Sequence, residues 1–364
     1  MGKKIIIAGG GTGGHIFPAI AIANALKKQH PDTQFLFIGA KGKMEMEKVP
    51  QAGYEIKGLD IAGFNRSSLI KNIGLPFKLI RSFFQVRSIV NEYRPDAVIG
   101  VGGYSSFPVL RYAQTRNIPS FIHESNSFAG KSNILLGKKA TRIFVASDGM
   151  EKFFPAERIM ITGNPVRSAI AESRISREEG IRFFGLDTSR QTVLVVGGSL
   201  GARSINEAID KNLDQILKHP VQLIWQTGKL YAAKARQRSE GRASVWVNDF
   251  ITQMEMAYAA ADVVISRAGA MAIAELCVVQ KPVVFVPYPF AAEDHQTVNA
   301  QNLVGKDAAI MIADRDAMEK LVPAVLALLD DDNRQNELKK HIGPLAVRNA
   351  DERVASEIWK ILHE

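Results

Sequence analysis

The sequence predicts an α/β protein made of two doubly wound parallel-sheet domains. Three apolar, strand-like runs each end in a glycine-rich turn: Ile5–Ala8 into Gly9–His15, Ala97–Ile99 into Gly100–Tyr104, and Val193–Val196 into Gly197–Ala202. One such turn is weak evidence, because glycine also serves plain tight turns. Three, each between a strand and a helix, point backbone amides and helix N-termini at phosphate-bearing ligands. The strand–helix alternation restarts near the middle of the chain, and 364 residues exceed one ordinary core. Two domains of roughly 160–190 residues, with a nucleotide-type cleft between them, satisfy both observations.

In the first half, Ile5–Ala8 precedes a helix expected from Pro18 to about Gln29, whose Ala19, Ile22, Ala23 and Leu26 share one face. Phe35–Gly39, Ala97–Gly100, Ser120–His123, Arg142–Ala146 and Ile159–Gly163 read as further strands. The turn Gly163-Asn164-Pro165-Val166-Arg167 marks the boundary, giving domains at 1–163 and 164–344. In the second half Val193–Val196, Val221–Trp225, Val245–Val247, Val263–Ser266 and Val283–Pro287 are short β-branched runs between helical segments. Such alternation favours a parallel sheet covered on both faces. The C-terminal stretch, about 345–364 with a helix near Ala350–Leu362, is expected to pack back on the first domain.

Composition narrows the function. Hydrophobic residues at 46% and charged residues at 23% describe a globular chain. No apolar run reaches the ~18–20 residues of a membrane span. The opening residues lack a secretory leader's apolar region, and the single Cys277 rules out an internal disulfide, so a reducing cytoplasm is expected. Net charge is +9, and residues 1–163 carry 22 Lys/Arg against 11 Asp/Glu. The second part is close to balanced. A basic half suits nucleic acid, anionic lipid or a multiply charged substrate.

Several clusters carry chemistry. Gly9–Gly14 contains G-x-G-x-x-G, yet the second strand ends Phe37-Ile38-Gly39-Ala40-Lys41, without the acid a dinucleotide ribose would need. His15 follows at a helix start, where the positive helix end disfavours its imidazolium. A neutral imidazole there can accept a proton from an attacking hydroxyl; it serves as readily as a cap. Arg267-Ala268-Gly269 opens another small-residue helix, and Glu275 two turns on is a carboxylate in an apolar surrounding. A ribose diol would partner it, although an exposed helix edge would also explain it. His123-Glu124-Ser125-Asn126 and Pro287–Ala300, with Gln296 and Asn299, are polar clusters after strands that suit sugar hydroxyls, although an ordinary loop would explain each as well. No P-loop, zinc helix or CxxC pair is present, and Asp314–Asp316 and Asp330–Asp332 read as helix caps, so no metal or other cofactor is expected.

Residues 61–91 hold no acid. Within them Leu69, Ile73, Leu75, Phe77, Leu79, Phe83 and Phe84 alternate with Lys71, Lys78, Arg81 and Arg87. Such interleaving suits an amphipathic surface pressed into anionic headgroups, while a helix whose cations merely face water is the plain alternative.

Seven motifs occur in the order and spacing of a known family. They are Gly10–Pro18, Gly102-Gly103-Tyr104, His123–Asn126, Gly163–Arg167, Gly197–Ala202, Arg267–Gly269 through Glu275, and Asp294–Ala300. Over nearly its whole length the chain resembles the MurG family of bacterial peptidoglycan N-acetylglucosaminyltransferases, in glycosyltransferase family 28. The resemblance implies a GT-B fold, two Rossmann-like domains facing across a cleft. It implies inverting, metal-free transfer of GlcNAc from UDP-GlcNAc to the C4 hydroxyl of MurNAc in undecaprenyl-diphospho-MurNAc-pentapeptide (lipid I to lipid II). It places Thr12, Gly13, Gly14, Asn126, Arg167, Ser199, Ile251, Glu275, His295 and Gln296 at the donor, with Glu275 on the ribose. Thr12, His15, Gly103 and Tyr104 fall on the acceptor side, with His15 the candidate base. The expected setting is peripheral, on the cytoplasmic face of the inner membrane, with an anionic lipid surface and cell-wall synthesis and division proteins as partners and no nucleic acid. The rivals are a GT-B transferase acting on diacylglycerol or a small aglycone, a nicotinamide-dependent oxidoreductase, and a basic nucleic-acid adaptor.

Overall fold

The structure, a computed structural model, describes residues 2–63, 74–198, 200–291 and 294–363. The chain divides into two compact units, residues 1–167 with 349–364, and residues 168–348.

The first unit runs β1 (Lys4–Ala8), α1 (Gly13–Gln29), β2 (Gln34–Ala40), α2 (Glu45–Gln51), β3 (Glu55–Leu59), α3 (Leu75–Tyr93), β4 (Ala97–Gly100), α4 (Ser106–Thr115), β5 (Ser120–Glu124), α5 (Lys131–Gly137), β6 (Arg142–Val145) and β7 (Ile159–Ile161). All pairings are parallel, in the order β3-β2-β1-β4-β5-β6-β7. The sheet is an apolar layer covered on both sides. Ile6, Val98 and Ile122 face a cluster that includes Val86 and Val90 of α3, whereas Ile5, Ile7 and Ile99 face Ile16 and Ile22 of α1.

The second unit runs α6 (Ser168–Ala171), α7 (Arg177–Phe183), β8 (Gln191–Val196), α8 (Arg203–Ile216), β9 (Val221–Gln226), α9 (Lys229–Ser239), β10 (Val245–Asn248), α10 (Met254–Ala260), β11 (Val263–Ser266), α11 (Ala270–Val279), β12 (Val283–Phe285), α12 (His295–Val304), β13 (Ile310–Met311), α13 (Ala317–Leu329) and α14 (Asp332–Ile342). Its order is β10-β9-β8-β11-β12-β13, again parallel. The last helix, α15 (Ala350–Ile361), returns to the first unit and buries Val354, Ala355 and Ile358 in the cluster of α1.

In each sheet the strand order reverses beside the first strand, between β1 and β4 and between β8 and β11. Carboxyl ends of strands at such a switch point are where open α/β sheets take ligands. The three glycine turns lie at the ends of β1, β4 and β8.

Local differences from the expected elements have physical causes. β3 and β13 carry weak strand signals, being an edge strand of mixed polarity and a two-residue strand. Helix α1 begins at Gly13, five residues before Pro18, because Thr12 adopts extended dihedrals and its carbonyl accepts the His15 and Ile16 amides. His15 therefore sits in the first helical turn.

Candidate functional site

At the switch point of the first unit the loops after β1 and β4 touch backbone to backbone. A Cβ at Gly103 would lie 2.5 Å from the Gly10 carbonyl oxygen. His15 is half-buried; a side chain at Gly102 would strike its ring, 2.8 Å from Cδ2 and Nε2. Its Nδ1 is 3.0 Å from the Gly10 carbonyl oxygen. A carbonyl only accepts, so Nδ1 carries a proton, and in the neutral ring the lone pair is then on Nε2. Thr12 is exposed at the helix N-terminus, above the Gly13 and Gly14 amides. The Tyr104 ring lies against Gly11 and Gly63, and burial, with the nearby Glu45 charge, pushes its phenol up.

The next loop is organised by a carboxylate. Glu124 is buried; its Oε1 accepts from the Asn126 amide (3.1 Å) and side-chain Nδ2 (3.3 Å), and its Oε2 from the Gly130 amide (3.1 Å) and Asn133 Nδ2 (2.8 Å). Beside it His123 is fully buried, and burial pushes its imidazole down to about 4, with the His15 charge adding to the effect and a Gly163 backbone contact opposing it. Asn164 Nδ2 donates to the Ser125 carbonyl (3.0 Å), joining the 163–167 segment to this loop. Arg167 stacks its guanidinium 4.6 Å over the Phe17 ring of α1.

In the second unit Gln226, at the end of β9, stitches the loop after β8 to the one after β10. Its Oε1 accepts the Gly197 amide (3.2 Å), and its Nε2 donates to the Gly198 (3.0 Å) and Asp249 (2.8 Å) carbonyls. Ile251 is buried just beyond. After β11, Arg267 donates to the Val286 (2.9 Å) and Pro287 (3.1 Å) carbonyls, to Ser204 Oγ and to Asp314, fixing the loop after β12. A Cβ on Gly269, the N-cap of α11, would meet nothing within 4 Å. Glu275 on α11 is buried and accepts from the Tyr258 hydroxyl of α10 at 2.9 Å. The carboxylate expected on an apolar face or an exposed edge thus has a buried phenol as partner. Gln296 Oε1 accepts the Tyr288 amide (3.0 Å), and His295 is half-buried at the start of α12.

Two family models match the chain, the glycosyltransferase family 28 N-terminal domain over residues 5–145 and the C-terminal domain over residues 192–354. The chain belongs to glycosyltransferase family 28. Among full-length relatives, the family 28 protein of Parabacteroides distasonis is 52% identical over 361 residues, spanning 99% of this chain and 98% of its own. That of Phocaeicola vulgatus is 50% identical, spanning 98% and 96%. Both are named UDP-N-acetylglucosamine–N-acetylmuramyl-(pentapeptide) pyrophosphoryl-undecaprenol N-acetylglucosamine transferase. The crystal structure of MurG from Acinetobacter baumannii superposes with a TM-score of 0.76 at 29% identity, covering 98% of this chain and 99% of its own. A kitacinnamycin glycosyltransferase, at 16% identity and a TM-score of 0.74 over the full length of both chains, shares the fold alone. The two Rossmann-like units are those of the GT-B glycosyltransferases.

Within this family 28 framework the site residues read from sequence fall into two groups. In the first unit Thr12, Gly103, Tyr104, Asn126 and Arg167 lie in loops and Gly13, Gly14 and His15 in the first turn of α1; in the second, Ile251 lies in the loop after β10, Glu275 on α11, and His295 and Gln296 at the start of α12. Ser199 lies outside the described residues, as do Leu69 and Ile73 of the basic stretch. On α3, Phe77 (75% exposed), Phe84 (66%), Leu79 and Ile80 face outward beside Lys78 and Arg81. Phe83 does not: it is half-buried and meets Phe107 of α4 edge-on at 6.5 Å, and Leu75 is half-buried too. No helix among the described residues is long and apolar enough to cross a membrane.

Sequence reasoning passed over Glu45 and Gln226, and quoted Glu124 and Arg267 within motifs without giving either a role. Glu45 bears on one inference and leaves it standing. The acid missing from the end of β2 comes back from α2, five residues later, as a carboxylate on the Gly11 amide (2.8 Å). It is spent on backbone amides and not offered to a ribose. Asp331 caps α14 by accepting the Arg334 amide, as the cap reading expects, whereas Asp314 is instead bound by Arg267 and Ser204, and Asp316, the N-cap of α13, makes no side-chain cap hydrogen bond.

Proposed function

We propose that this chain transfers GlcNAc from UDP-GlcNAc to the C4 hydroxyl of MurNAc in undecaprenyl-diphospho-MurNAc-pentapeptide, inverting the anomeric carbon. The observation that carries the reading is 52% identity, over 99% of the chain, to a relative bearing the name of that reaction. In this reading His15 Nε2 accepts the proton of the attacking hydroxyl, while the sugar oxygen bonds to C1 and UDP leaves with the electron pair of the broken C1–O bond. The leaving diphosphate meets the loop after β8, including Ser199, and the amide end of α11 at Gly269. Preorganised amides take developing charge without rearrangement, and they replace a metal in the proposal. Glu275 holds the ribose, the Ile251 backbone the uracil, and Asn126, Arg167, His295 and Gln296 the GlcNAc end, with Thr12, Gly13 and Gly14 beside it. Thr12, Gly103 and Tyr104 receive the acceptor.

The exposed Phe77, Leu79, Ile80 and Phe84, ringed by Lys78 and Arg81, support docking on an anionic leaflet at the cytoplasmic face of the inner membrane, where a lipid-linked acceptor lies. Proteins of wall synthesis and division are the partners this setting supplies.

The test is transfer from labelled UDP-GlcNAc to a lipid I analogue, with diacylglycerol as the competing acceptor. Turnover on the muramyl lipid is expected, and turnover on diacylglycerol alone would overturn the reading. His15→Ala should lower kcat by roughly 10²–10⁴ with UDP-GlcNAc affinity kept; near-normal turnover removes His15 as the base.

A further inference from the structure

One buried acid has no part in the reaction as proposed. Glu45, the first residue of α2, is 1% exposed, and its two oxygens reach two different segments. Oε1 accepts the Ala40 amide at the end of β2 (2.9 Å), and Oε2 accepts the Gly11 amide in the loop after β1 (2.8 Å). The fit depends on two glycines. A Cβ on Gly10 would collide with the Glu45 carboxyl group, and one on Gly39 with its Cγ.

The Gly11 amide belongs to the same peptide group as the Gly10 carbonyl, which accepts the His15 Nδ1 proton at 3.0 Å. Carboxylate, peptide and imidazole therefore form one file of hydrogen bonds. An amide N–H given to a carboxylate makes its own carbonyl a stronger acceptor, since hydrogen bonds in series polarise one another.

We infer that Glu45 is a positioning residue for His15, acting through the Gly10–Gly11 peptide to keep the proton on Nδ1 and to stabilise the imidazolium formed when Nε2 takes the hydroxyl proton. The inference rests on His15 being the base. Glu45 itself neither gives nor takes a proton: the sugar O–H breaks and Nε2–H forms. It offsets the positive end of α1, which on its own disfavours a cationic ring.

The other charged and titratable groups around the loop are in place for this. Tyr104, from the β4 loop, has its phenol pushed up by burial and by Glu45, and stays neutral. His123 of β5 is held neutral by burial. Arg167 lies over Phe17, Lys41 pairs with Asp60 (2.9 Å), and Glu47 and Lys48 of α2 pair with each other (3.1 Å).

The experiment combines Glu45→Gln kinetics with histidine ¹⁵N NMR of the full chain. A glutamine has one acceptor oxygen for two amides, so kcat should fall roughly 10–100-fold. KM for UDP-GlcNAc should stay within about threefold. The acidic limb of the kcat profile should move to lower pH by about half to one unit, because the imidazolium has lost its counter-charge. In the unmodified enzyme His15 should show the Nδ1–H tautomer, and in the variant a mixture. A variant with lower thermal stability but an unmoved acidic limb and unchanged tautomer makes Glu45 merely structural and overturns the inference. An Nε2–H tautomer for His15 in the unmodified enzyme overturns it without any variant, which covers the case in which Glu45→Gln does not fold. Near-normal turnover of His15→Ala would remove the base instead, and an inactive His15→Ala beside an unmoved Glu45→Gln profile would remove only the relay.

Discussion

Glu124→Gln isolates a single geometric demand. Each Glu124 oxygen accepts two N–H groups, Asn126 N and Nδ2 on one side and Gly130 N and Asn133 Nδ2 on the other. A glutamine keeps one oxygen, so either orientation of its amide turns an NH₂ toward two N–H donors; of the four, Asn133 is buried, Asn126 is half-buried and Gly130 is exposed. A buried donor left unsatisfied costs about 1–3 kcal/mol. Because the other donors can turn to water, about 1–3 kcal/mol is the upper range, reduced by whatever relaxation the 125–130 loop permits. The loss should be local first: amide exchange should accelerate at Asn126 or at Gly130, whichever proton now faces the NH₂, while exchange in β8 to β12 stays unchanged. Since Asn126 is a proposed GlcNAc contact, kcat/KM for UDP-GlcNAc should fall at least tenfold, the equivalent of about 1.4 kcal/mol. Urea titration, hydrogen exchange and initial rates read these three quantities. A variant within about 0.5 kcal/mol of the parent, with protected amides at 126 and 130, would show that the four hydrogen bonds do not hold the loop.

Three further outcomes follow from the geometry. His123 has a folded-state value near 4, below the ordinary 6.5, so the unfolded chain takes the proton first. Stability of the first unit should be full above about pH 6.5 and fall toward pH 4 by an amount on the order of 3 kcal/mol, and His123→Gln should flatten that slope in urea titrations. Tyr258→Phe takes away the hydroxyl on Glu275 and should raise KM for UDP-GlcNAc about tenfold with kcat within threefold; an unchanged KM would detach Glu275 from ribose binding. Phe77→Ser with Phe84→Ser should release the protein from anionic vesicles and leave transfer to a soluble acceptor analogue intact, and undiminished vesicle binding would place the membrane surface elsewhere.

What could be read from the chain depended on how local the signal was. Ile5–Ala8, Ala97–Gly100 and Val193–Val196 are unbroken apolar runs closed by glycine, and all three are central strands beside a switch point. Glu55–Leu59 went unread because an edge strand need not be apolar. The amphipathic reading of 69–84 treated its large side chains alike, but Phe83 is drawn to Phe107 by a helix-helix contact that sequence spacing does not encode. Glu45 was beyond reach for a sharper reason: 34 residues separate it from Gly11, and its meaning comes from a return of α2 to the first loop. Glu124 stood in view within His123–Asn126, yet half of its donors come from Gly130 and Asn133.

Helix α15 has a consequence for biogenesis. The first unit is finished only after the whole of the second has been synthesised, because Val354, Ala355 and Ile358 complete the packing on α1. Residues 168–348, by contrast, are contiguous and carry their own sheet and apolar cluster. During translation the second unit can close while the first still waits with the α1 face of its sheet uncovered, so the later-encoded half is the earlier to mature. A released chain truncated before Ala350 would therefore carry a closed second unit and a first unit still exposing apolar surface to chaperones.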